Sequence, residues 1–288
     1  MILELELCVD SVASALAAER GGADRIELCD NLLEGGTTAS DGLLTVTRKN
    51  IDIDLHLLVR PRAGNFCYSE EEVQVIEHDV RRAKTQGANG VVIGVLRRDG
   101  SVDSDTCKRL RDLAWPMSAT FHRAFDLTPD PFRAAEALVE AGFDRILSSG
   151  QHGSAVEGND VLARLVRDYA DRIGIMVAGG VRRSNLSRVI ASTGAREVHM
   201  RLDVEQNNER PSAPARRNPV SAGMGSERLT EVGLVREVVE ELARIGRLEE
   251  SGYPEAADGG SGAPDSLERN VKRKAKAGAD TYKRGHRR

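Results

Sequence analysis

The sequence predicts a (β/α)8 TIM barrel with a disordered C-terminal tail, and three observations carry that prediction. Strand-like and helix-like stretches alternate strictly over residues 1–248, eight of each at about 31 residues per unit, which matches a barrel of roughly 250 residues. A helix–glycine–strand junction recurs as Gly22-Ala23-Asp24-Arg25-Ile26-Glu27-Leu28, Gly87-Ala88-Asn89-Gly90-Val91-Val92-Ile93, Gly142-Phe143-Asp144-Arg145-Ile146-Leu147 and Gly194-Ala195-Arg196-Glu197-Val198-His199. Glycine tolerates the left-handed backbone that ends a helix, and the strand follows within two or three residues, as in short αβ loops. Finally, Cys8-Val9-Asp10-Ser11 after the first strand contains no glycine, so the phosphate fingerprint of the rival doubly wound sheet is missing.

Taken in order, Leu3–Cys8 is the first strand, and Ser11–Arg20, opening on serine and rich in alanine, is the first helix. The second strand runs through Ile26 to Cys29 and the third is Leu55–Arg60. Glu70–Gln86 carries Val73, Ile76 and Val80 at helical spacing. Val91–Ile93 and Met117–His122 are the next strands, and Asp130–Ala141 is a helix with proline in its first turn and Ala134, Leu138 and Ala141 on one face. The strand at Ile146-Leu147, the helix Val156–Tyr169, the strand Ile173–Ala178, the helix Ser184–Ala191, the strand ending at His199 and the helix Thr230–Ile245 complete the domain, placed at residues 1–248. Residues 249–288 read as a flexible linker, with glycines and prolines and few bulky apolar groups, followed by a basic tail with no apolar face.

The composition excludes several functions. No apolar run approaches the roughly 20 residues of a membrane helix. Met1–Glu6 carries acid and no basic group, so a secretory signal is not expected. Four cysteines in 288 residues argue against a disulfide framework and for a reducing compartment, hence a cytoplasmic location. The tail holds nine basic and seven acidic groups, a net of +2, so of the total −4 the body carries −6. That acidity, with only 3% aromatic residues, argues against nucleic acid binding by the core. The body's lysines, Lys49, Lys84 and Lys108, fall on predicted helices or their ends, so Schiff-base chemistry in the barrel is not expected. There is no Walker loop, no His-Glu-x-x-His and no Cys-x-x-Cys.

Barrel sites form at the C-terminal ends of the strands. Two strands close on the same triplet, Glu6-Leu7-Cys8 and Glu27-Leu28-Cys29. If the leucines pack outward on the helices, alternation turns Glu4, Glu6, Cys8, Glu27 and Cys29 inward. The other strand ends present Arg60 and Arg62, His122 and Arg123 with Asp126 beyond, Ser149-Gly150, Gly179-Gly180, and His199 with Met200. Such a convergence of ionisable groups marks a candidate site, expected to be a pocket lined by Glu6, Glu27, Arg60, His122 and His199. The bland alternative is a barrel filled by satisfied pairs of the Glu6–Arg60 type. Cys67, Cys107, His78 and His56 are expected to be incidental or packing residues.

These residues resemble the CutC family of copper-homeostasis proteins over about residues 3–245. The resemblance is carried by Glu6-Leu7-Cys8-Val9-Asp10-Ser11, by Arg20-Gly21-Gly22-Ala23-Asp24-Arg25-Ile26-Glu27-Leu28-Cys29, by Glu34-Gly35-Gly36-Thr37-Thr38, and by Thr120-Phe121-His122-Arg123-Ala124-Phe125-Asp126. Arg60–Ser69 is similar to the family's Arg-Pro-Arg-Gly-Gly-Asp-Phe segment, with Ala63 and Asn65 in place of Gly and Asp. The late segment 203–228 departs most, although Arg217-Asn218 and Met224-Gly225 resemble family pieces. The resemblance implies a cytoplasmic (β/α)8 barrel associated with Cu(I), with Cys8 and Cys29 as the copper thiols.

The leading expectation is therefore a copper-homeostasis protein holding copper as Cu(I), a soft ion that prefers thiolates, on Cys8 and Cys29 at the mouth. His122 or Met200 is a candidate third ligand. The rival is an enzyme acting on a small anionic or sugar-like ligand. There Glu27 and His122 would serve as acid and base, Arg60, Arg62 and Arg123 as charge clamps, and His199 as a further binding residue. A third reading is a structural barrel whose partner docks on the outer helices. Association into a homo-oligomer is left open.

Overall fold

The computed structural model describes residues 2–205 and 228–251. Eight parallel strands close a barrel in chain order: β1 (Glu4–Val9), β2 (Arg25–Leu28), β3 (Asp54–Leu58), β4 (Gly90–Ile93), β5 (Ser118–Phe121), β6 (Arg145–Ser148), β7 (Gly174–Val177) and β8 (Glu197–Met200). Around them lie α1 (Val12–Gly21), α2 (Asp41–Asn50), α3 (Glu70–Thr85), α4 (Ser104–Ala114), α5 (Pro131–Glu140), α6 (Asn159–Tyr169), α7 (Arg183–Thr193) and α8 (Val232–Ser251). A short antiparallel ribbon, β9 (Asp203–Glu205) and β10 (Arg228–Thr230), precedes α8. The (β/α)8 prediction holds. None of the described helices is long and apolar enough to cross a membrane.

The helix boundaries follow local chemistry. The Ser11 hydroxyl accepts from the Ser14 amide at the start of α1, and Ser69 and Glu72 form a reciprocal capping box on α3. Asp130 caps α5 ahead of Pro131. Gly22 and Gly194 end α1 and α7 at φ of 98° and 70°, as the repeated glycine junction predicts. The last helix runs past the expected Ile245 to Ser251. The rest of the predicted linker and tail, and the Arg217-Asn218 and Met224-Gly225 pieces, lie outside the described residues.

Strand alternation sorts the side chains. Leu5, Leu7, Ile26, Leu28, Leu55, Leu57 and Val91 are buried in the main apolar cluster shared with the helices. Met200 belongs to that cluster too, which removes it as a copper ligand. The opposite set fills the barrel and is only partly apolar: Cys29, Leu58 and Val92 form one small cluster, Leu147, Met176 and Ala178 another. Between these lies a buried ion network. The Arg25 guanidinium bonds Glu6 and lies 2.8 Å from Glu197, which also bonds Arg145. The same Arg25 Nη2 that reaches Glu197 also lies 3.4 Å from the Met176 sulfur. The expected filler pair Glu6–Arg60 is not what forms. Arg25, the register partner of Glu6 on β2, takes that carboxylate.

Candidate functional site

Register places the site. Cys8 pairs with Glu27 across β1 and β2, and Glu6, one pleat below Cys8, with His199 across β1 and β8, so three neighbouring strands bring these side chains together in two adjoining layers. The Cys8 and Cys29 sulfurs are 3.4 Å apart, and all four cysteines are free thiols. The ligand atoms of Cys8, Glu27 and His199 lie within 4.8 Å of one another. His199 Nδ1 is 2.7 Å from Glu6 Oε1, and its Nε2 is 3.5 Å from Glu27 Oε2.

Above these groups the mouth holds a cavity of about 130 Å³ walled by Cys8, Glu27, Cys29, Arg60, His122, Arg123 and His199, with Phe66 and several apolar side chains. Arg60 is buried and has no carboxylate partner among the described residues. It donates instead to the carbonyls of Glu34, Gly36 and Gly64, and its guanidinium lies 5.0 Å from the centre of the Phe66 ring. Arg123 bonds Asp126 at 2.9 Å and donates to the Ser149 hydroxyl. Asp126 in turn accepts from Ser148 and from the amides of Ser149 and Gln151, which fixes the loop after β6. His122 Nδ1 accepts from the Ala124 amide at 3.1 Å, so in the neutral ring Nε2 carries the proton, and that atom has no protein acceptor.

The CutC family model matches residues 3–203, from the first strand of the barrel to the start of the ribbon. The chain belongs to the CutC family. The human copper homeostasis protein cutC homolog is 47% identical over 195 residues, covering 68% of this chain and 71% of its own. A CutC family protein of Porphyromonas gingivalis strain W83 is 39% identical over 252 residues, covering 85% of this chain and all of its own. The solved CutC structure from Streptococcus agalactiae superposes with a TM-score of 0.65 at 31% identity, covering 69% of this chain and 98% of that one. Thiamine phosphate pyrophosphorylase from Pyrococcus furiosus, at 16% identity and a TM-score of 0.52, shares the barrel fold alone.

Within this CutC barrel most of the residues singled out from sequence do meet. Glu27, Arg60, His122, Arg123, His199, Cys8 and Cys29 all border the one cavity. Two expectations need correction. Glu6 is fully buried beneath the cavity rather than lining it, because Arg25 and His199 hold it there. Arg62 leaves the site altogether. The strand ends at Leu58, and Arg62 lies in the following loop, bonded to Glu72 and the carbonyls of Asn65 and Cys67 and lying over Tyr68. His122 is not among the clustered donors, and His199 takes the place expected of it beside Cys8. Arg25 was missed, although it shares the parity of Glu27 and Cys29. His56 packs inside the barrel, 3.9 Å from Glu6, and Cys107 is buried with its thiol toward the Val95 carbonyl.

Burial and neighbouring charge set the protonation states. Burial raises Glu27 to about 7, against the pull of the His199 charge and with Glu6 pushing the same way. Burial acts against the ionised form of Glu6 too, but the His199 hydrogen bond and the Arg25 charge overcome it and hold that carboxyl far below the usual range. For His199, burial is overcome by hydrogen bonds to Cys8 and Glu6 and by both carboxylates, so it titrates well above an ordinary imidazole. The hydrogen bond with Cys29, then burial, push the Cys8 thiol well up. Burial, then the Arg60 charge, depress His122 to about 3.

Proposed function

We propose that this CutC barrel is a cytoplasmic copper-homeostasis protein that takes Cu(I) as cargo between Cys8 and Cys29 at its C-terminal mouth. The observation that carries this reading is the 3.4 Å approach of two free thiols from neighbouring strands at the edge of a cavity. Two sulfur donors suit a soft monovalent ion. Loading displaces the thiol protons, so affinity falls as pH is lowered, and the raised Cys8 thiol extends that dependence to higher pH. The experiment is Cu(I) titration of the full chain under reducing conditions against a chromophoric chelator. Cys8→Ser with Cys29→Ser is expected to abolish high-affinity uptake. Cys67→Ser with Cys107→Ser is expected to leave it intact, since Cys67 bonds the Arg97 carbonyl and Cys107 is sealed in the core. Equal uptake by all three proteins would sink the reading.

A second reading, an enzyme or binder for a small anionic ligand, is favoured by Arg60. Its positive charge borders the cavity with no carboxylate paired to it among the described residues, and Arg123 lines the same cavity. A two-thiol copper site has no use for either. Phosphate- and carboxylate-bearing metabolites are expected to raise the melting temperature of metal-free protein, by about 2.7 kcal/mol of stabilisation at 100 times the dissociation constant. Arg60→Ala is expected to erase that rise. Stabilisation that survives the substitution, or none with any anion, favours the copper carrier alone.

A further inference from the structure

We propose that Cys8, Glu27 and His199 form a second metal site, distinct from the thiol pair, that takes a borderline divalent cation of the zinc or cobalt type and keeps one coordination position open to the cavity. This reading does not depend on Cu(I) binding, except that both sites use Cys8.

The donor atoms are one sulfur, one nitrogen and one oxygen, all within 4.8 Å of one another. Four-coordinate zinc holds its donors at about 2.0–2.3 Å, which makes tetrahedral edges of roughly 3.5 Å. The His199 Nε2–Glu27 Oε2 edge already measures 3.5 Å. A mixed set of this kind is a poor match for Cu(I), which favours soft sulfur, and a good one for a borderline divalent ion. Charge agrees as well: one thiolate and one carboxylate balance the two positive charges of the ion.

The strongest support lies one layer deeper. Metal-binding histidines commonly donate their other ring N–H to a carboxylate, which fixes the tautomer and aims the free nitrogen at the ion. Here His199 Nδ1 is 2.7 Å from Glu6 Oε1, and Glu6 is itself fixed by Arg25. That leaves Nε2, on the Glu27 side, as the ligand. The two-thiol site has no need of this arrangement.

The three donors also border the cavity, which His122, Arg60 and Arg123 line as well. Three protein ligands with a fourth position open are the pattern of sites that present water or a ligand oxygen to the metal. Cys29 stands 3.4 Å from Cys8 but outside the mixed trio. Cys8 therefore belongs to two donor sets, and occupation of one excludes the other.

The test uses Co(II) as a spectroscopic probe on the full chain under anaerobic, metal-free conditions. One equivalent is expected to give the visible absorption of four-coordinate cobalt and a thiolate charge-transfer band, and Zn(II) to bleach both. Cys8→Ser is expected to remove the charge-transfer band. Glu27→Gln and His199→Gln should each weaken binding at least tenfold, and Glu6→Gln by about 10–100-fold with the spectrum retained. Cys29→Ser, which loses Cu(I), should keep the cobalt spectrum. On the unsubstituted protein, whose folding is not in question, Cu(I) should expel Co(II). Absence of a charge-transfer band, loss of the spectrum in Cys29→Ser but not in His199→Gln, or coexistence of both ions on one chain would each overturn the proposal.

Discussion

Replacing Arg25 with methionine is expected to destabilise the barrel by about 3–5 kcal/mol, the usual consequence of removing one partner from a buried ion pair. Arg25 is 4% exposed and bonds Glu6, Glu197 and, more loosely, Glu4. Glu197 keeps Arg145 when Arg25 is removed. Glu6 loses its one arginine among the described residues and is left, fully buried, with His199 and, at 3.9 Å, His56. Chemical denaturation of Arg25→Met measures the loss. Adding Glu6→Gln to that variant should recover part of it, because the stranded charge is then gone. A loss below about 1 kcal/mol, or no recovery in the double variant, would show that the network is not the dry, charge-compensated unit described above.

A large acid sensitivity is the second expected result. His56 and His122 are buried and held neutral, each depressed to about 3. Burial is the main cause for both, with Arg25 and Arg145 adding at His56 against the Glu6 charge, and Arg60 adding at His122. A histidine depressed in the folded state binds its proton more readily when unfolded. Unfolding therefore takes up protons as pH falls from about 6.5 toward 3, and stability declines through that window. Each unit of depression corresponds to about 1.4 kcal/mol, so the two rings together should cost about 6 kcal/mol between pH 6.5 and 4, of which Glu27, raised to about 7 and so stabilising the fold as pH falls, offsets roughly a third. His122→Asn preserves an acceptor for the Ala124 amide and has nothing to titrate. Its melting temperature should fall less between pH 6.5 and 4 than that of the unsubstituted chain. Identical slopes would show that His122 is already solvated or protonated in the fold.

What the sequence revealed divides along physical lines. Strand parity is a strong rule wherever backbone hydrogen bonds enforce the pleat, so alternation alone turns Cys8, Glu27 and Cys29 to the inside. The same rule failed for Arg62 because it was carried past Pro61, beyond the last paired residue of β3, where no ladder holds the pleat. Arg25 was legible in principle. It sits one pleat below Glu27, but the strand read from the apolar pattern begins at Ile26, so the inward parity is not carried back one residue to Arg25. The partners of Arg60 were beyond reach, since they are carbonyls of the 34–36 loop and of Gly64, and a backbone acceptor has no residue type. The Asp126 cluster likewise depends on how two loops fold over each other, and no periodicity encodes that.

The buried charges also bear on how the chain is made. Glu6 lies on the first strand of the barrel, yet its histidine partner stands 193 positions later, and Glu197, a second carboxylate held by Arg25, is on the same last strand. A chain that has delivered only the early strands holds the Glu6–Arg25 pair without His199 and Glu197, so premature closure of a smaller sheet is disfavoured by the cost of burying charges that are only partly compensated. The seam between the first and last strands thus works as a completion check. Contacts of such long sequence separation form late and slowly, and the interior becomes inhabitable only when the whole ring is present.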